Sequence, residues 1–252
     1  MHNRSDWSDL VPRGVDLIRP HPTRMYDYYL GGCYNFAVDR RKAVEVLRVL
    51  PEVGTTAIQN RAYLRRIVRY CVQQGVHQLL DLGSGLLSAG TVHEFARLVA
   101  PDCRVLYVDN EPVTVARNKV CLTGDPYAAC IEADITKPEH VLGHPETQRL
   151  LDLARPMAVL MLDVLPFLSD ADHPGIVVGT YRKALAHGSF LALSHITTAG
   201  PADQLVRVVE LYRGTQRPMR LRAQDEIAEL LSGFGTLVWP GLVPLLSTAG
   251  EN

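Results

Sequence analysis

The sequence predicts an α/β fold built on a mostly parallel β-sheet, and three observations support this prediction. After residue 75, apolar runs of strand length alternate with helical segments, a pattern typical of a parallel sheet covered by helices on both faces. The first apolar run ends in a glycine turn, Asp81-Leu82-Gly83-Ser84-Gly85, and the next run ends on an acidic residue, Asp109. With 252 residues, 47% of them apolar, the chain is long enough to bury the core of one large domain.

The part of the chain before the sheet is predicted to be helical. An arm over residues 1–22 contains three prolines, which disfavour regular structure. A first helix is expected from Thr23, its N-cap, to the pair Gly31-Gly32. Two further helices are predicted over residues 36–50 and 56–74. We therefore expect an arm and a helical segment over residues 1–75, followed by the sheet-containing unit over residues 76–252.

Seven strands are expected in total. Five strands are predicted at 77–83, 104–109, 128–133, 157–165 and 188–196. Helices are predicted at 90–100, 112–122, 138–153, 172–186, 202–212 and 224–232. The last part of the chain, residues 235–246, reads as a closing pair of strands around Pro240-Gly241.

Composition excludes several classes of partner. The formal net charge is −1 and there is no long run of like charges, so nothing indicates a nucleic acid as the partner. The five cysteines include no Cys-x-x-Cys pair, which favours reduced thiols in a cytoplasmic protein. The amino terminus lacks the apolar segment of a signal peptide, and no apolar run reaches the roughly 18 residues of a membrane span. Whether the protein forms oligomers is left open.

The glycine turn favours S-adenosylmethionine over a dinucleotide as the cofactor. A dinucleotide site needs a third glycine in Gly-x-Gly-x-x-Gly, so that a helix N-terminus reaches the pyrophosphate, and Ser88 occupies that position. S-adenosylmethionine needs an open turn instead, and Gly83-Ser84-Gly85 supplies backbone with two missing Cβ atoms. Asp81 is suited to the cofactor's ammonium group, and Asp109 to both ribose hydroxyls. The alternative is an ordinary strand-to-helix turn.

Two more acidic residues follow strands that end at the same edge. Asp134 comes after the third strand, where its carboxylate is suited to the adenine amino group while Ile135 covers the ring. A helix N-cap is the alternative role for Asp134. Asp163 lies in the fourth predicted strand, and a residue there would be near the transferable methyl group. These positions predict a cofactor site at the carboxyl edge of the sheet.

Several motifs resemble, in order, those of the bacterial S-adenosyl methyltransferase family formerly known only as a domain of unknown function, DUF574. The most specific is Arg24-Met25-Tyr26-Asp27-Tyr28-Tyr29-Leu30-Gly31-Gly32-Cys33-Tyr34-Asn35-Phe36, which is dense in aromatic and polar residues. The other motifs are 59–66, 81–85, 92–94, 107–113, 133–135 and Ser194-His195. The resemblance extends from about Val15 to Val243.

This resemblance implies a Rossmann-like class I methyltransferase whose amino-terminal helices form a lid over the cofactor. Family members are similar to enzymes that tailor small natural products, and some methylate C3 of an indole in tryptophan-derived compounds such as cyclic dipeptides. An aromatic small molecule is therefore the expected substrate. The implied cofactor contacts outside the strand-end residues are Arg24, Gly31, Asn35, Arg61, His93 and Asn110.

A catalytic base is also expected. His195 is the first candidate because it follows the fifth strand and imidazole titrates near neutral pH. Tyr26, Tyr29 and His93 are further candidates. The alternatives are a core histidine with satisfied hydrogen bonds and tyrosines that only pack the lid.

Other functions remain open from the sequence. An O- or N-methyltransferase acting on another metabolite fits the same motifs. A regulator that binds S-adenosylmethionine without catalysis would keep the cofactor residues and need no base. A nucleic-acid methyltransferase would need a basic groove that the net charge does not suggest.

Overall fold

The computed structural model describes residues 15–87, 90–238 and 240–245. Its centre is a sheet of five parallel strands in the order β3-β2-β1-β4-β5. The strands are β1 (Gln78–Leu82), β2 (Arg104–Asp109), β3 (Ala128–Glu132), β4 (Ala158–Leu162) and β5 (Phe190–Ser194). The three central strands are apolar on both faces, as expected where helices cover both sides.

The described helices precede, separate and follow these strands. They are α1 (Pro22–Tyr29), α2 (Ala37–Val49), α3 (Glu52–Gln73), α4 (Val92–Arg97), α5 (Pro112–Cys121), α6 (Pro138–Leu142), α7 (Pro145–Leu150), α8 (Pro174–Ala184), α9 (Ala202–Arg213) and α10 (Gln224–Leu230). Two short 3₁₀ turns, Leu165–Phe167 and Asp170–Asp172, follow β4.

Two apolar layers cover the sheet because successive strand residues point to opposite faces. Leu79 and Val105 pack with α3, α4 and α5 on one face. Leu80 and Leu106 pack with α6, α7, α8 and α10 on the other.

A third apolar cluster joins the amino-terminal helices to a helix from the other end of the chain. Met25 on α1, Val46 on α2 and Ala57 on α3 pack together with Val208 and Tyr212 on α9. The helical layer above the sheet is therefore built from residues far apart in the sequence.

The prediction of an α/β fold with a parallel sheet is confirmed, and the expected count of seven strands is wrong. The described residues 235–238 and 240–245 contain no strand, and Trp239 and Leu246 lie outside the described part. Pro240 and Pro244 each remove a backbone donor from this short segment, which opposes strand pairing.

Several predicted boundaries also change. The helix expected from Thr23 begins at Pro22, because the His21 side chain caps it by accepting a hydrogen bond from the Thr23 backbone N–H. The helix α3 begins at Glu52 rather than residue 56, and β4 ends at Leu162 rather than residue 165. Most of the predicted arm, residues 1–14, lies outside the described residues. Within the described residues, no helix is both long enough and apolar enough to cross a membrane.

Candidate active site

A cavity of about 1230 Å³ opens at the carboxyl edge of the sheet. The chain reverses its strand order between β1 and β4, and the crevice beyond such a switch point is where open α/β sheets bind ligands. Of the predicted site residues, thirteen line this cavity: Tyr26, Tyr29, Arg61, Asp81, Gly83, Ser84, Gly85, Asp109, Asn110, Asp134, Ile135, Asp163 and His195.

The two turn glycines have different reasons to be glycine. Both have left-handed backbone angles, φ +74° at Gly83 and φ +64° at Gly85. A Cβ on Gly83 would come within 2.2 Å of Val164, so close packing excludes a side chain there. At Gly85 the nearest atom to such a Cβ is in Thr23, 3.8 Å away. Gly85 therefore leaves open space beside its backbone, which suits the close approach of a ligand.

Asn118, which the sequence analysis did not single out, holds this turn. Its side-chain amide donates to the Gly85 carbonyl over 2.8 Å and accepts from the Leu87 N–H over 2.9 Å. Asn118 is fully buried on α5, one helical turn from the buried Val115. An amide on the apolar face of a helix was the signal in the sequence, because a buried amide must find hydrogen-bond partners.

Asp109 binds the turn and still has acceptor capacity. Its two oxygens accept backbone hydrogen bonds from Gly85 and Glu111, each over 2.9 Å. Since a carboxylate offers about four acceptor positions, each oxygen keeps capacity for one hydroxyl donor. Burial raises the pKa of Asp109 to about 6.

Two side chains of opposite charge type, Asp81 near the end of β1 and Arg61 on α3, line the cavity. Burial raises the pKa of Asp81 to about 7, and the Arg61 charge opposes that rise. The Nη2 atom of Arg61 is buried and has no hydrogen-bond partner among the described residues. A buried guanidinium nitrogen without an acceptor and a carboxylate disfavoured by burial together suit a zwitterionic amino-acid group.

Asp134 has one oxygen occupied and one available. Its Oδ1 accepts from the backbone N–H and the hydroxyl of Thr136, and among the described residues Oδ2 has no donor. The alternative role as a helix N-cap is wrong, because α6 begins at Pro138 after Lys137. Ile135 is buried beside it at the cavity wall.

Arg24 is not at the cavity wall, contrary to the expectation of a cofactor contact. Its guanidinium is 1% exposed, and it pairs with Asp39 at 2.9 Å and with Glu111 at 2.7 Å. Glu111 in turn accepts from the Thr114 N–H and so caps α5. Arg24 therefore ties α1 and α2 to the sheet unit through a buried ion network.

Three more expected cofactor residues also lie away from the cavity. Asn35 donates to the Asp27 carboxylate over 2.7 Å and supports the turn after α1. Gly31 provides a left-handed backbone angle, φ +77°, in that turn. His93 contacts the Tyr107 hydroxyl over 2.8 Å in a network behind the sheet.

His195 lines the cavity, but its hydrogen bonds do not suit a base. Its Nδ1 lies 2.7 Å from the Ile196 carbonyl, which only accepts, so Nδ1 carries the proton. Its Nε2 lies 3.0 Å from the Arg222 guanidinium, which only donates, so the ring's lone pair is occupied. Burial lowers the pKa of His195 to about 4. The alternative of a histidine with satisfied hydrogen bonds describes this residue better.

Asp163 lines the same cavity as the tyrosines. It has a left-handed backbone, φ +54°, which is uncommon outside glycine, and its N–H donates to the Ser194 carbonyl. Its carboxylate has no hydrogen-bond partner among the described residues, and burial raises its pKa to about 7. Its charge also contributes to the raised pKa values of Tyr26 and Tyr29, and all three residues line the cavity.

The tyrosine hydroxyls at the cavity differ in their hydrogen bonds. The Tyr26 hydroxyl accepts from Asn60 and donates to the Ala57 carbonyl, each over 3.1 Å. Tyr29 instead contacts Tyr212, with 3.1 Å between the two hydroxyl oxygens. Asn60 and Ser194, which hydrogen-bond to each other, also line the cavity. Most of the other residues on this wall are apolar: Leu50, Val53, Ala57, Phe167, Ile196, Leu205, Val208 and Met219.

Comparison with known families gives this geometry a biochemical meaning. A family model described as S-adenosyl methyltransferase matches residues 8–251. The chain belongs to the S-adenosyl methyltransferase family. This is the DUF574 family that the sequence motifs resemble. S-adenosylmethionine is therefore its cofactor, and the protein is an S-adenosylmethionine-dependent methyltransferase.

Two solved structures of similar proteins agree with this assignment. A proposed methyltransferase from Thermobifida fusca is 38% identical, with a TM-score of 0.86 over 93% of this chain and 87% of that chain. A DUF574 family protein from Streptomyces avermitilis is 32% identical, with a TM-score of 0.88 over 92% of this chain and 90% of that chain. Among curated proteins, no match was found.

The residues of this methyltransferase fit its cofactor. The unpartnered Arg61 and the carboxylate of Asp81 suit the two charged groups of the methionine part. Asp109 retains acceptor positions for hydroxyls, and the available oxygen of Asp134 suits an amino donor. Within the described residues there is no cluster of side chains that would hold a metal ion.

Proposed function

We propose that this methyltransferase methylates a small, neutral, aromatic molecule and that Asp163 accepts the proton released by the reaction. The observation that carries the proposal is the division of the cavity. The carboxylates suited to the cofactor lie at or near the ends of β3, β2 and β1, whereas Asp163 follows β4. Its carboxylate is free among the described residues, and tyrosines, Asn60 and apolar side chains line the same cavity. Aromatic faces suit both an aromatic substrate and a sulfonium.

The chemistry is a displacement at a methyl carbon. When bound, S-adenosylmethionine supplies an electrophilic methyl group, whose bond to sulfur breaks with the electron pair left on sulfur as the acceptor atom forms its bond to carbon. The acceptor becomes cationic and loses one proton from an N–H, O–H or C–H group. In this proposal Asp163 takes that proton, and the apolar wall excludes water.

Asp163 suits this role better than the other candidates. A base is most effective when its pKa is near the working pH, and that of Asp163 is about 7. His195 has a lowered pKa and an occupied lone pair. Tyr26 has a pKa raised to about 12 by burial, and its hydroxyl already donates to Ala57.

C3 of an indole in a tryptophan-derived compound, such as a cyclic dipeptide, is the first acceptor to test. Attack from C3 places the positive charge on the ring nitrogen, whose N–H proton then passes to Asp163. The apolar wall with Phe167 and two tyrosines supports this substrate class. A phenol or amine of another metabolite would use the same base. A role in tailoring natural products in the cytoplasm is part of this proposal.

We also propose that the helices within residues 1–75 act as a lid together with α9. Tyr26 and Tyr29 reach the cavity from α1, and Leu205 and Val208 reach it from α9. A lid of this kind would order around the substrate and keep water from the reacting atoms.

Calorimetric titration with S-adenosylmethionine and S-adenosylhomocysteine tests the cofactor half of the proposal. We expect both to bind the wild type and to bind Asp109→Ala much more weakly. Asp102→Ala, which changes an exposed carboxylate, serves as the matched control.

A panel of tryptophan-containing cyclic dipeptides, tryptamines, phenols and amines then tests the acceptor half. A gain of one methyl group on an indole compound, detected by mass spectrometry, would support the proposed substrate. Turnover of phenols or amines alone would exclude the indole. No methylation of any aromatic acceptor would contradict the proposed substrate class.

A further inference from the structure

Two tyrosine hydroxyls, one from α1 and one from α9, form a pair at the cavity wall. The pair has two hydroxyl protons, and within the described part of the chain only one of them is used in a hydrogen bond. The hydroxyl oxygens of Tyr29 on α1 and Tyr212 on α9 are 3.1 Å apart. One hydroxyl donates to the other, which uses one of the two protons. Among the described residues, neither hydroxyl has another hydrogen-bond partner, so the second proton has no protein acceptor.

Three other tyrosines, the half-buried Tyr26 and the buried Tyr107 and Tyr181, are not in this position. The Tyr107 hydroxyl lies 2.8 Å from His93 Nδ1. The Tyr26 hydroxyl donates to the Ala57 carbonyl and accepts from Asn60. The Tyr181 hydroxyl donates to the Ile135 carbonyl over 3.1 Å. A hydroxyl proton with no acceptor in a buried site is unfavourable, and native structures seldom keep one without a reason.

The surroundings of the pair keep both hydroxyls protonated. Tyr29 is 9% exposed and Tyr212 is 4% exposed, and both residues line the cavity. Burial raises both pKa values, and the nearby charge of Asp163 raises them further. The ring of Phe167 lies 5.9 Å from that of Tyr212 and offers no oxygen acceptor. The spare proton is therefore available to a molecule in the cavity.

We propose that the Tyr29–Tyr212 hydroxyl pair donates a hydrogen bond to an uncharged oxygen of the methyl acceptor. The acceptor would then be an aromatic molecule that has a carbonyl or hydroxyl oxygen in addition to its methylated atom. The oxygen is uncharged because the free carboxylate of Asp163 lines the same cavity as the two tyrosines and would repel an anion there. This inference rests on the proposed function, since it assigns a substrate to the same cavity.

A site that offers a buried donor discriminates strongly against analogues without the matching acceptor. The test compares two uncharged probes of similar size, indole-3-propionamide and 3-butylindole, of which only the first has a carbonyl. Their dissociation constants are measured by calorimetry in the presence of saturating S-adenosylhomocysteine. The quantity of interest is the preference for the amide over the hydrocarbon.

Four variants test whether the two hydroxyls cause the preference for the amide. In Tyr29→Phe/Tyr212→Phe both hydroxyls are lost, and we expect the preference for the amide to fall about five- to tenfold, the effect of one hydrogen bond. Each single Phe variant keeps one hydroxyl with a free proton and should retain most of the preference. Tyr181→Phe, which removes a buried hydroxyl that does not line the cavity, should leave the preference at the wild-type value.

A measurement on the wild type covers the case in which the double variant does not fold. Infrared spectra of the amide probe labelled with ¹³C at the carbonyl should show a lower C=O stretching frequency when bound than in an apolar solvent. An unchanged preference in a folded double variant, an unshifted carbonyl, or no binding of either probe would overturn the inference. Failure of S-adenosylhomocysteine to bind the wild type would instead count against the proposed function.

Discussion

Asp163 is the first residue after β4, and its backbone conformation explains why its carboxylate is available to a ligand. The left-handed angle at Asp163 turns the chain away from the sheet immediately after Leu162. A carboxylate at this turn reaches the cavity without a backbone donor beside it to lower its pKa, and only burial affects it. The residue that sequence analysis placed near the methyl group is therefore the best candidate for the base.

The first prediction concerns the pH dependence of methylation. Because the pKa of Asp163 is about 7, a base at this position is protonated and inactive below pH 7. We expect kcat/KM for an accepted substrate to rise through pH 7 and then level off. In Asp163→Asn it should fall by about 10²- to 10⁴-fold at pH 8 and lose this rise.

His195→Gln is the comparison for that experiment. It changes a neighbouring wall residue whose lone pair is already occupied, so the rise through pH 7 should persist. Initial rates of both variants, measured between pH 5.5 and 9, show which of the two residues is the base. A rise that disappears in His195→Gln and persists in Asp163→Asn would restore the histidine as the base.

The second prediction concerns Asn118 and the glycine turn. Asn118→Ala leaves the Gly85 carbonyl and the Leu87 N–H without their partners, so the turn should lose its fixed shape. We expect the affinity for S-adenosylhomocysteine to fall by at least about tenfold, because two backbone groups of the turn are left unsatisfied. Asn118→Asp keeps an acceptor for the Leu87 N–H but places a second oxygen against the Gly85 carbonyl, so a loss of affinity is expected there as well. An unchanged affinity in Asn118→Ala would show that the clamp has no role in binding.

At the scale of elements, the sequence predicted the amino-terminal helices but did not predict that they pack against α9. Glycine and proline residues in the sequence predicted the ends of α1 and α2 to within one or two residues of the observed bounds. The participation of α9 in the same cluster could not be read from periodicity, because an amphipathic helix does not specify what covers its apolar face. The family resemblance implied a cofactor contact for Arg24, and the structure instead shows a buried cation paired with Asp39 and Glu111.

The third prediction tests this buried network. Arg24→Met removes the only described cation paired with either Asp39 or Glu111 and leaves two buried carboxylates uncompensated. We expect a loss of about 3–5 kcal/mol in the free energy of unfolding, measured by denaturant titration. Arg213→Met removes an exposed pair with Glu210 on α9 and should cost less than about 1 kcal/mol. Equal losses in the two variants would contradict the structural role of Arg24.

At the scale of the whole molecule, the parallel sheet brings carboxylates from separate strands to one cavity. Asp81, Asp109 and Asp163 follow or end β1, β2 and β4, and burial raises the pKa of each. A cationic ligand favours their charged forms, so cofactor binding should be coupled to proton release.

The fourth prediction follows from this coupling. With a pKa of about 7 in the free protein, Asp81 binds a proton below pH 7 that a bound ammonium group would displace. The affinity for S-adenosylhomocysteine should therefore increase from pH 5.5 to 7.5, by at most about tenfold per pH unit for one proton. In Asp81→Asn this increase should be smaller, whereas Asp203→Asn, at an exposed site on α9, should match the wild type. An affinity independent of pH in the wild type would contradict the coupling.

The sequence by itself determined the parallel sheet, the cofactor and the strand-end residues. These features depend on local pattern: a buried strand followed by glycine or aspartate fixes both the strand and the edge at which it ends. The tertiary structure decided which polar side chains remain available for chemistry. His195 is saturated by Arg222, Tyr26 by Asn60 and Ala57, and Asp163 by none of the described residues. Hydrogen-bond partners that are distant in the chain set these roles, and packing of the folded molecule alone brings them together.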